Sequence, residues 1–448
     1  MFPRSVLSRR SFLQASLAAS CGAAAWGGEE TPHGEDRRPI ETFVPHRQLT
    51  RAPGHHWFGY YDKEEFSPDD SLVLSNQVDF EGRSPTADDT IRVGFVDLAD
   101  GDTWHELGTS QAWGWQQGCM LQWLPGTGRS IIWNDRDDSG GRSRFVSRLR
   151  TLDGDSSETS NERTLDRPIY AVSPDSRFAV TTDFERIQNM RPGYGYAGVS
   201  DANAAVKAPT DSGIWRVDLD TGESRLLVSY ADMAALPHEG QSLAEKWHYF
   251  NHLLVDPVGE RMIFLHRWRD RPARIDGEEV PNAGRFTTRL ITCRCDDGGD
   301  RYVLDPSGAT SHFIWRDPET ITAWSRYKGQ AGFFQYRDRT REVLPVGAHV
   351  MRQNGHNTYV PNTGGEWILN DTYPDRTTRL QTVYLYHVPS NRRVDLGHFH
   401  SPPRYTGEVR VDTHPRNSRD GRQVVIDSSA TGRRQLHWLD IREIIESA

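Results

Sequence analysis

The feature that most constrains the fold is a hairpin pattern that recurs seven times in this 448-residue chain. Residues 247–269, WHYFNHLLVDPVGERMIFLHRWR, show it well: two apolar or aromatic runs flank the turn-forming residues Asp256-Pro257-Val258-Gly259. Such a pattern predicts a β-hairpin. The equivalent turn positions lie 43 to 83 residues apart and are Pro68, Pro125, Pro174, Pro257, Pro318, Pro361 and Arg419.

A second run of alternating residues follows the hairpins, as in residues 91–102 and 213–224. Four short strands that recur at intervals of about 40–60 residues are typical of a β-propeller blade. The sequence therefore predicts an all-β fold, a seven-bladed β-propeller with four-stranded blades. The last copy ends at Ile441 after three strands, so residues 40–50 are predicted to supply the missing strand and close the ring.

The N-terminus carries Arg9 and Arg10 ahead of a modest apolar run that ends near Ala25. This pattern is typical of a twin-arginine export signal and predicts a periplasmic or secreted protein. We assign residues 1–25 to the signal, 26–39 to a flexible leader and 40–448 to one propeller domain. Cys21 is an alternative site for a lipid anchor. No other stretch reaches the roughly 20 apolar residues of a membrane span.

The register of the repeat places the start and the end of all seven hairpins on one face of the ring. Five histidines fall at these positions: His252, His266, His312, His356 and His414. Four arginines do so too: Arg136, Arg186, Arg267 and Arg326. We expect a polar funnel in which arginines bind an anionic ligand, because guanidinium groups match carboxylates. Each of these residues can instead hydrogen-bond a neighbouring blade.

The net charge of −9 argues against nucleic acid as the partner. Lining residues of the funnel are predicted to bind substrate, and the set is Arg136, Arg267, Tyr60, Gln117 and Asn134. Tyr60 is either a platform on which a sugar stacks or an aromatic residue of the core.

With these features the chain resembles the propeller polysaccharide lyases, namely the oligogalacturonate lyases and ulvan lyases. The resemblance to the first group implies that His252 is the catalytic base. It also implies that the segment Val411-Asp412-Thr413-His414-Pro415 binds a divalent metal such as Mn or Zn, with His266 and His356 completing the site. The resemblance to ulvan lyases implies a catalytic pair, Tyr170 and Arg186. Gln117 and Asn134 stand where ulvan lyases carry a histidine pair, which is a departure from that family.

The function implied is β-elimination from a uronate in an acidic oligo- or polysaccharide. Arg186 or the metal would neutralise the carboxylate, His252 would take the proton and Tyr170 would assist the leaving oxygen. A glycoside hydrolase is a second hypothesis, because four carboxylates fall on the same face: Asp62, Asp135, Asp183 and Asp371. A non-catalytic propeller that binds glycan or protein is a third.

Overall fold

The computed structural model describes residues 40–152, 159–275 and 277–447. In this part of the chain, seven antiparallel four-stranded sheets follow one another as the blades of a β-propeller. The predicted fold class is therefore confirmed. The export signal and the leader assigned from the sequence lie outside the described residues.

The blades are numbered here in chain order, and each is given from its first strand outward. Blade 1 contains His55–Trp57, Leu72–Val78, Ile91–Asp97 and Thr103–Ser110. Blade 2 contains Gln122–Trp123, Ser130–Asp137, Arg144–Leu152 and Thr159–Leu165. Blade 3 contains Ala171–Val172, Phe178–Thr181, Gly213–Asp218 and Ser224–Ser229. Blade 4 contains Trp247–Val255, Arg261–Arg269, Thr287–Arg294 and Tyr302–Gly308.

The last three blades continue the same order. Blade 5 contains Phe313–Asp317, Thr320–Tyr327, Gln330–Arg337 and Val343–Val346. Blade 6 contains Thr358–Tyr359, Trp367–Asp371, Leu380–His387 and Arg392–His400. Blade 7 contains Arg416–Asn417, Gln423–Ser428 and Gln435–Asp440, and its fourth strand comes from the other end of the chain.

The N-terminal segment closes the ring as predicted. His46–Gln48 pairs antiparallel with Gln435–Asp440 and completes blade 7. The preceding strand, Glu41–Thr42, adds a fifth strand to the outer edge of blade 6 by pairing with Arg392–His400. Because the chain continues from this segment into the first strand of blade 1, these backbone hydrogen bonds tie the first blade to the last two.

Blade packing explains why many strands lack strict alternation of apolar and polar residues. In Arg261–Arg269 eight of the nine residues are buried, because neighbouring blades cover both faces of the sheet. A strand covered on both sides is expected to read as a nearly continuous buried run.

Short helices and one small hairpin are added to the seven blades. The helices are Phe184–Met190, Tyr230–Ala234 and Arg442–Glu446, with a 3₁₀ turn at Gly407–Val409. The sequence predicts short helical pieces near residues 231–236 and 244–246. Tyr230–Ala234 confirms the first, whereas residues 244–246 form a turn and a bend instead. The helix Phe184–Met190 was not predicted. Arg274–Ile275 and Glu278–Glu279 form a two-stranded hairpin in an insertion of blade 4. No helix among the described residues is long and apolar enough to cross a membrane.

Candidate active site

A buried cluster of polar and aromatic side chains lies where the first strands meet at the axis. Every blade contributes a residue in or just before its first strand or, in blade 1, just after it: Tyr60, Gln117, Tyr170, His252, His312, His356 and His414. The ring centroids of His312 and His356 are 4.2 Å apart, as are those of His356 and His414. Tyr60 touches the cluster edge-on, 4.9 Å from His252 and 5.2 Å from His414. We call this region the axial chamber.

His252 is presented to the chamber by an irregularity in its strand. The pairing register shifts between Asn251 and Leu254, and His252 adopts φ 52°. This conformation is uncommon for a residue with a side chain, and such bulges often re-aim side chains at functional sites.

The surroundings of His252 favour a neutral ring with one free nitrogen. Its Nε2 lies 3.4 Å from Oδ2 of Asp62, and Asp62 is itself paired with Lys63 at 3.1 Å. Burial opposes ionisation of Asp62, yet Lys63 and His252 lower its pKa to about 2. Burial lowers the pKa of His252 to about 4 even though Asp62 opposes the shift. A proton on Nε2 faces this carboxylate, and Nδ1 has no partner among the described residues.

The side chains of Tyr170 and Gln117 hydrogen-bond with each other, and Tyr170 also bonds the backbone of His252. The hydroxyl of Tyr170 accepts the backbone N–H of His252 at 2.7 Å. It also exchanges hydrogen bonds with the amide of Gln117, at 2.7 and 3.0 Å. Burial raises the pKa of Tyr170 well above its ordinary value. In this structure the hydroxyl of Tyr170 is engaged by protein groups and positions the backbone of His252, and its role as proton donor stays a prediction.

Three side chains form a group suited to a divalent metal. One ligand atom from each of His356, Asp412 and His414 lies within 4.8 Å of the others. Within the described chain, Nε2 of both histidines and Oδ1 of Asp412 are buried and have no hydrogen-bond partner. Asp371 accepts a hydrogen bond from Nδ1 of His356 at 2.9 Å, which leaves Nε2 as the coordinating nitrogen. Burial lowers the pKa of His414 well below its ordinary value, so its ring is neutral, as a ligand must be. The donor set fits Mn²⁺ or Zn²⁺.

Arg267 brings an uncompensated positive charge to the chamber. Its Nε donates to Thr288 at 3.0 Å, its guanidinium lies 4.7 Å from the ring of Phe286, and Nη1 has no partner among the described residues. No carboxylate in the described part of the chain pairs with it. Burial, and then the charge of Arg191, lower the pKa of Arg267. Arg267 stands opposite Tyr249 in the neighbouring strand, three residues before His252. The charge of Arg267 also contributes to the lowered pKa of His252.

His266 does not join the metal group. Its Nε2 lies 2.8 Å from Nδ1 of His248, and its Nδ1 accepts a hydrogen bond from Arg289 at 3.0 Å. His266 and Arg267 are adjacent in one strand, so their side chains point to opposite faces. Only Arg267 points to the axial chamber, and the prediction for His266 is corrected.

Arg186 is a structural residue and not a partner of Tyr170. It is 1% exposed and donates five hydrogen bonds within the protein. One reaches the carbonyl of His248, and the others hold Asp201 and the backbone of residues 203–207. With its donors engaged, Arg186 is not available to a substrate carboxylate, contrary to the prediction.

Arg136 and Asn134 are likewise engaged outside the chamber. Arg136 is paired with Asp138 at 3.0 Å and donates to a backbone carbonyl at 2.6 Å. Asn134 donates to Tyr196 and exchanges backbone hydrogen bonds with Ile169, which joins blades 2 and 3. Both side chains are thus engaged by other protein groups, and their contact with substrate stays a prediction.

The carboxylates considered for a hydrolase do not form a free pair. Asp62 is paired with His252 at 3.4 Å, Asp371 with His356 at 2.9 Å, and Asp135 with Arg148 at 3.1 Å. Asp183 accepts hydrogen bonds from Ser212 and the backbone of Gly213.

Sequence reasoning missed a second group of residues at the chamber, formed by Arg191, Tyr194 and Arg410. Tyr194 lies 6.5 Å from Tyr60, ring centroid to centroid, and contacts both arginines. Arg191 and Tyr194 belong to residues 188–209, an insertion rich in Gly, Tyr, Pro and Ala. Its composition indicates a surface loop, and long loops in compact folds are often functional.

Loops from opposite sides of the ring meet above the chamber. Arg274 of the blade 4 insertion lies 3.3 Å from Glu408, which also accepts a hydrogen bond from Ser84 of blade 1 at 2.6 Å. In a ring of seven, blade 4 stands opposite the seam between blades 7 and 1, so this contact spans the mouth. The chamber is thereby covered, consistent with the low exposure of its histidines.

Comparisons with known proteins agree with the fold. No protein-family model and no curated protein sequence matches this chain. Among solved structures, an oligogalacturonate lyase from Vibrio parahaemolyticus is similar with a TM-score of 0.57 and 15% identity, over 91% of this chain and 98% of that one. An oligogalacturonate lyase in complex with manganese has a TM-score of 0.60 and 14% identity, over 90% and 95% of the two chains. At these identities the likeness shows a shared propeller fold.

Proposed function

We propose that this protein is a carbon–oxygen lyase that cleaves a uronate-containing oligo- or polysaccharide by β-elimination in the axial chamber. One observation carries the proposal: a buried histidine with a free ring nitrogen and a buried guanidinium that no described carboxylate neutralises lie on two paired strands of blade 4. β-Elimination needs a base for the C5 proton and a cation for the adjacent carboxylate. The propeller likeness to two oligogalacturonate lyases supports the same reaction class.

The residues of the chain divide these tasks. Arg267 binds the uronate carboxylate and lowers the charge that opposes removal of the C5 proton. Nδ1 of His252 takes that proton, and Asp62 stabilises the resulting imidazolium. Tyr170 holds the backbone of His252 in its unusual conformation.

The His/Asp/His group adds a candidate cofactor site. His356, Asp412 and His414 would hold Mn²⁺ or Zn²⁺, which acts as a Lewis acid toward oxygen ligands when bound. One of the similar solved structures is described with manganese, which favours this metal.

We further propose that the protein acts in the periplasm or outside the cell. This rests on Arg9 and Arg10 of the N-terminal signal pattern. Fractionation of cells that express the full chain tests it.

An absorbance assay tests the proposed reaction. The purified protein is incubated with pectic, ulvan-type and other uronate oligomers and polymers, with and without chelator. A rise in ultraviolet absorbance from a new C4=C5 double bond establishes a lyase. New reducing ends without that absorbance would indicate a hydrolase, and ligand binding without any product would indicate a binding propeller.

Replacing Arg267 with Met is expected to lower kcat/KM on uronates by about 10²–10³-fold, the cost of losing one donor that stabilises developing charge. The Met side chain keeps much of the packing against Phe286. The measurement is initial rate against substrate concentration. Equal activity on a uronate methyl ester in variant and wild type is expected, because the ester has no negative charge for Arg267 to bind.

Replacing Asp371 with Asn is expected to weaken metal binding by about 10–100-fold, since partners that orient a metal-bound histidine typically contribute that much. Titration calorimetry with Mn²⁺ and Zn²⁺ measures the affinity. His349→Ala removes an exposed histidine and serves as the control. The assigned site would be contradicted if Asp371→Asn bound the metal as tightly as the wild type. It would also be contradicted if His349→Ala lost affinity instead.

A further inference from the structure

Tyr194 has an environment unlike that of the other phenols near the axis. It follows the helix Phe184–Met190 in a tight loop and is 3% exposed. Its phenolic oxygen accepts a hydrogen bond from Nη2 of Arg191 at 3.0 Å and another from Nη2 of Arg410 at 2.5 Å. Arg410 is anchored in turn by Asp412 at 2.7 Å.

Two guanidinium donors occupy the lone pairs of this oxygen. The hydroxyl proton of Tyr194 therefore has to point elsewhere, and no acceptor for it is found among the described residues. Tyr61 and Tyr170 differ, because their hydroxyls bond the carbonyl of Phe313 and the amide of Gln117. Tyr194 alone combines a free O–H with two cations on its oxygen.

The same two cations stabilise the anion that remains after the proton leaves. Burial alone would raise the pKa of Tyr194, but Arg191 and Arg410 outweigh it and lower the pKa below the ordinary phenol value. A phenol of this kind is a better proton donor than its neighbours. Burial raises the pKa of Tyr60 and of Tyr170 instead.

Tyr60 contacts both Tyr194 and His252. The ring of Tyr60 is 6.5 Å from that of Tyr194 and 4.9 Å from that of His252, and it meets both edge-on. The charge of Tyr194 also acts on Arg267. The phenol, the candidate base and the candidate carboxylate-binding group thus surround one chamber.

We propose that Tyr194 is the general acid of the reaction and protonates the glycosidic oxygen that leaves C4. This inference rests on the proposed lyase function. His252 takes the C5 proton, the C5–H electron pair forms the C4=C5 bond, and the C4–O4 bond breaks. The hydroxyl proton of Tyr194 passes to O4, and the phenolate is held by Arg191 and Arg410. The proton on His252 returns to Tyr194 through solvent before the next turnover.

The test compares Tyr194→Phe with Tyr196→Phe on two substrates. Tyr196 lies two residues away in the same loop, is equally buried, and uses its hydroxyl to accept a bond from Asn134. On a natural oligouronide, Tyr194→Phe is expected to lose about 10²–10⁴-fold in kcat. On a uronide with a 4-O-dinitrophenyl group, whose departure needs no proton, the loss is expected to be under tenfold. Tyr196→Phe is expected to show no such difference between substrates.

Two results would overturn the inference alone: full activity of Tyr194→Phe, or an equal loss on both substrates. A wild-type chain that forms no unsaturated product on any uronide would overturn the lyase proposal and this inference with it. A second readout needs no turnover. The tyrosinate absorbance of the wild type is expected to show a group that ionises below the ordinary phenol range and is lost only in Tyr194→Phe. Its presence in both variants would also contradict the assignment.

Discussion

Replacing His252 with Gln is expected to lower the rate of uronate cleavage by about 10²–10⁴-fold, the range that a positioned general base contributes. The base must be neutral to accept a proton. Since burial lowers the pKa of His252 to about 4, wild-type activity is expected to be present at neutral pH and lost as the pH falls through about 4. Initial rates across this pH range measure both effects.

The matched control is His349→Gln, which changes an exposed histidine outside the chamber and should leave activity unchanged. Circular dichroism of both variants separates loss of chemistry from loss of fold. If His252→Gln were folded and as active as wild type, the assignment of the base would be wrong. Activity with an acid limb near pH 6.5, the ordinary histidine value, would argue that an exposed histidine is the base instead.

Replacing Arg416 with Met is expected to cost about 3–5 kcal/mol of unfolding free energy, the usual effect of removing one partner from a buried ion pair. Arg416 of blade 7 binds Glu65 of blade 1 at 2.8 Å and Asp427 at 3.1 Å. The three side chains are nearly inaccessible to solvent and lie at the seam where the ring closes. Removing the cation leaves two buried carboxylates without a counterion.

Chemical denaturation at two pH values measures this effect and its sign. Burial raises the pKa of Glu65 to about 7 although Arg416 opposes the rise. Without Arg416 the carboxyl of Glu65 holds its proton more tightly in the folded than in the unfolded state. The variant is therefore expected to be least impaired near pH 5 and to lose stability as the pH rises from the ordinary glutamate range through neutrality, because the folded state then has to give up the Glu65 proton. Arg294→Met, at a side chain 46% exposed, should cost less than about 1 kcal/mol. Equal costs for the two variants would contradict a buried seam.

Part of the site follows from the repeat register. His252, His356 and His414 stand at equivalent positions of three hairpins, so a propeller must bring them to the axis. Asp412 follows because it is two residues from His414 in the chain. These placements need no knowledge of side-chain contacts, and the family resemblance pointed to the same four residues.

Other site residues depend on partners that the sequence does not show. Arg186 and Arg267 look alike at the ends of two hairpins. The first has its donors engaged by a loop that folds back over it, whereas the second retains a free Nη1. Tyr194 looks like an ordinary loop residue in the sequence. Its distinctive environment depends on a hydrogen bond from Arg410, which lies 216 residues further along the chain. His266 was misplaced for a local reason, since strand alternation separates it from Arg267.

The sequence by itself determined the number of blades, the four-strand repeat and the closure of the ring by the N-terminal segment. These depend on turn chemistry and strand pairing, which recur with the repeat and can be read locally. Only the tertiary structure decided which buried polar groups are paired and which remain open to a ligand. A buried polar group takes its partners from wherever the fold brings them, as when Arg416 meets Glu65 across 351 residues. The chemistry proposed for this protein therefore rests on the few described side chains at the axis whose hydrogen-bonding capacity the fold leaves unused.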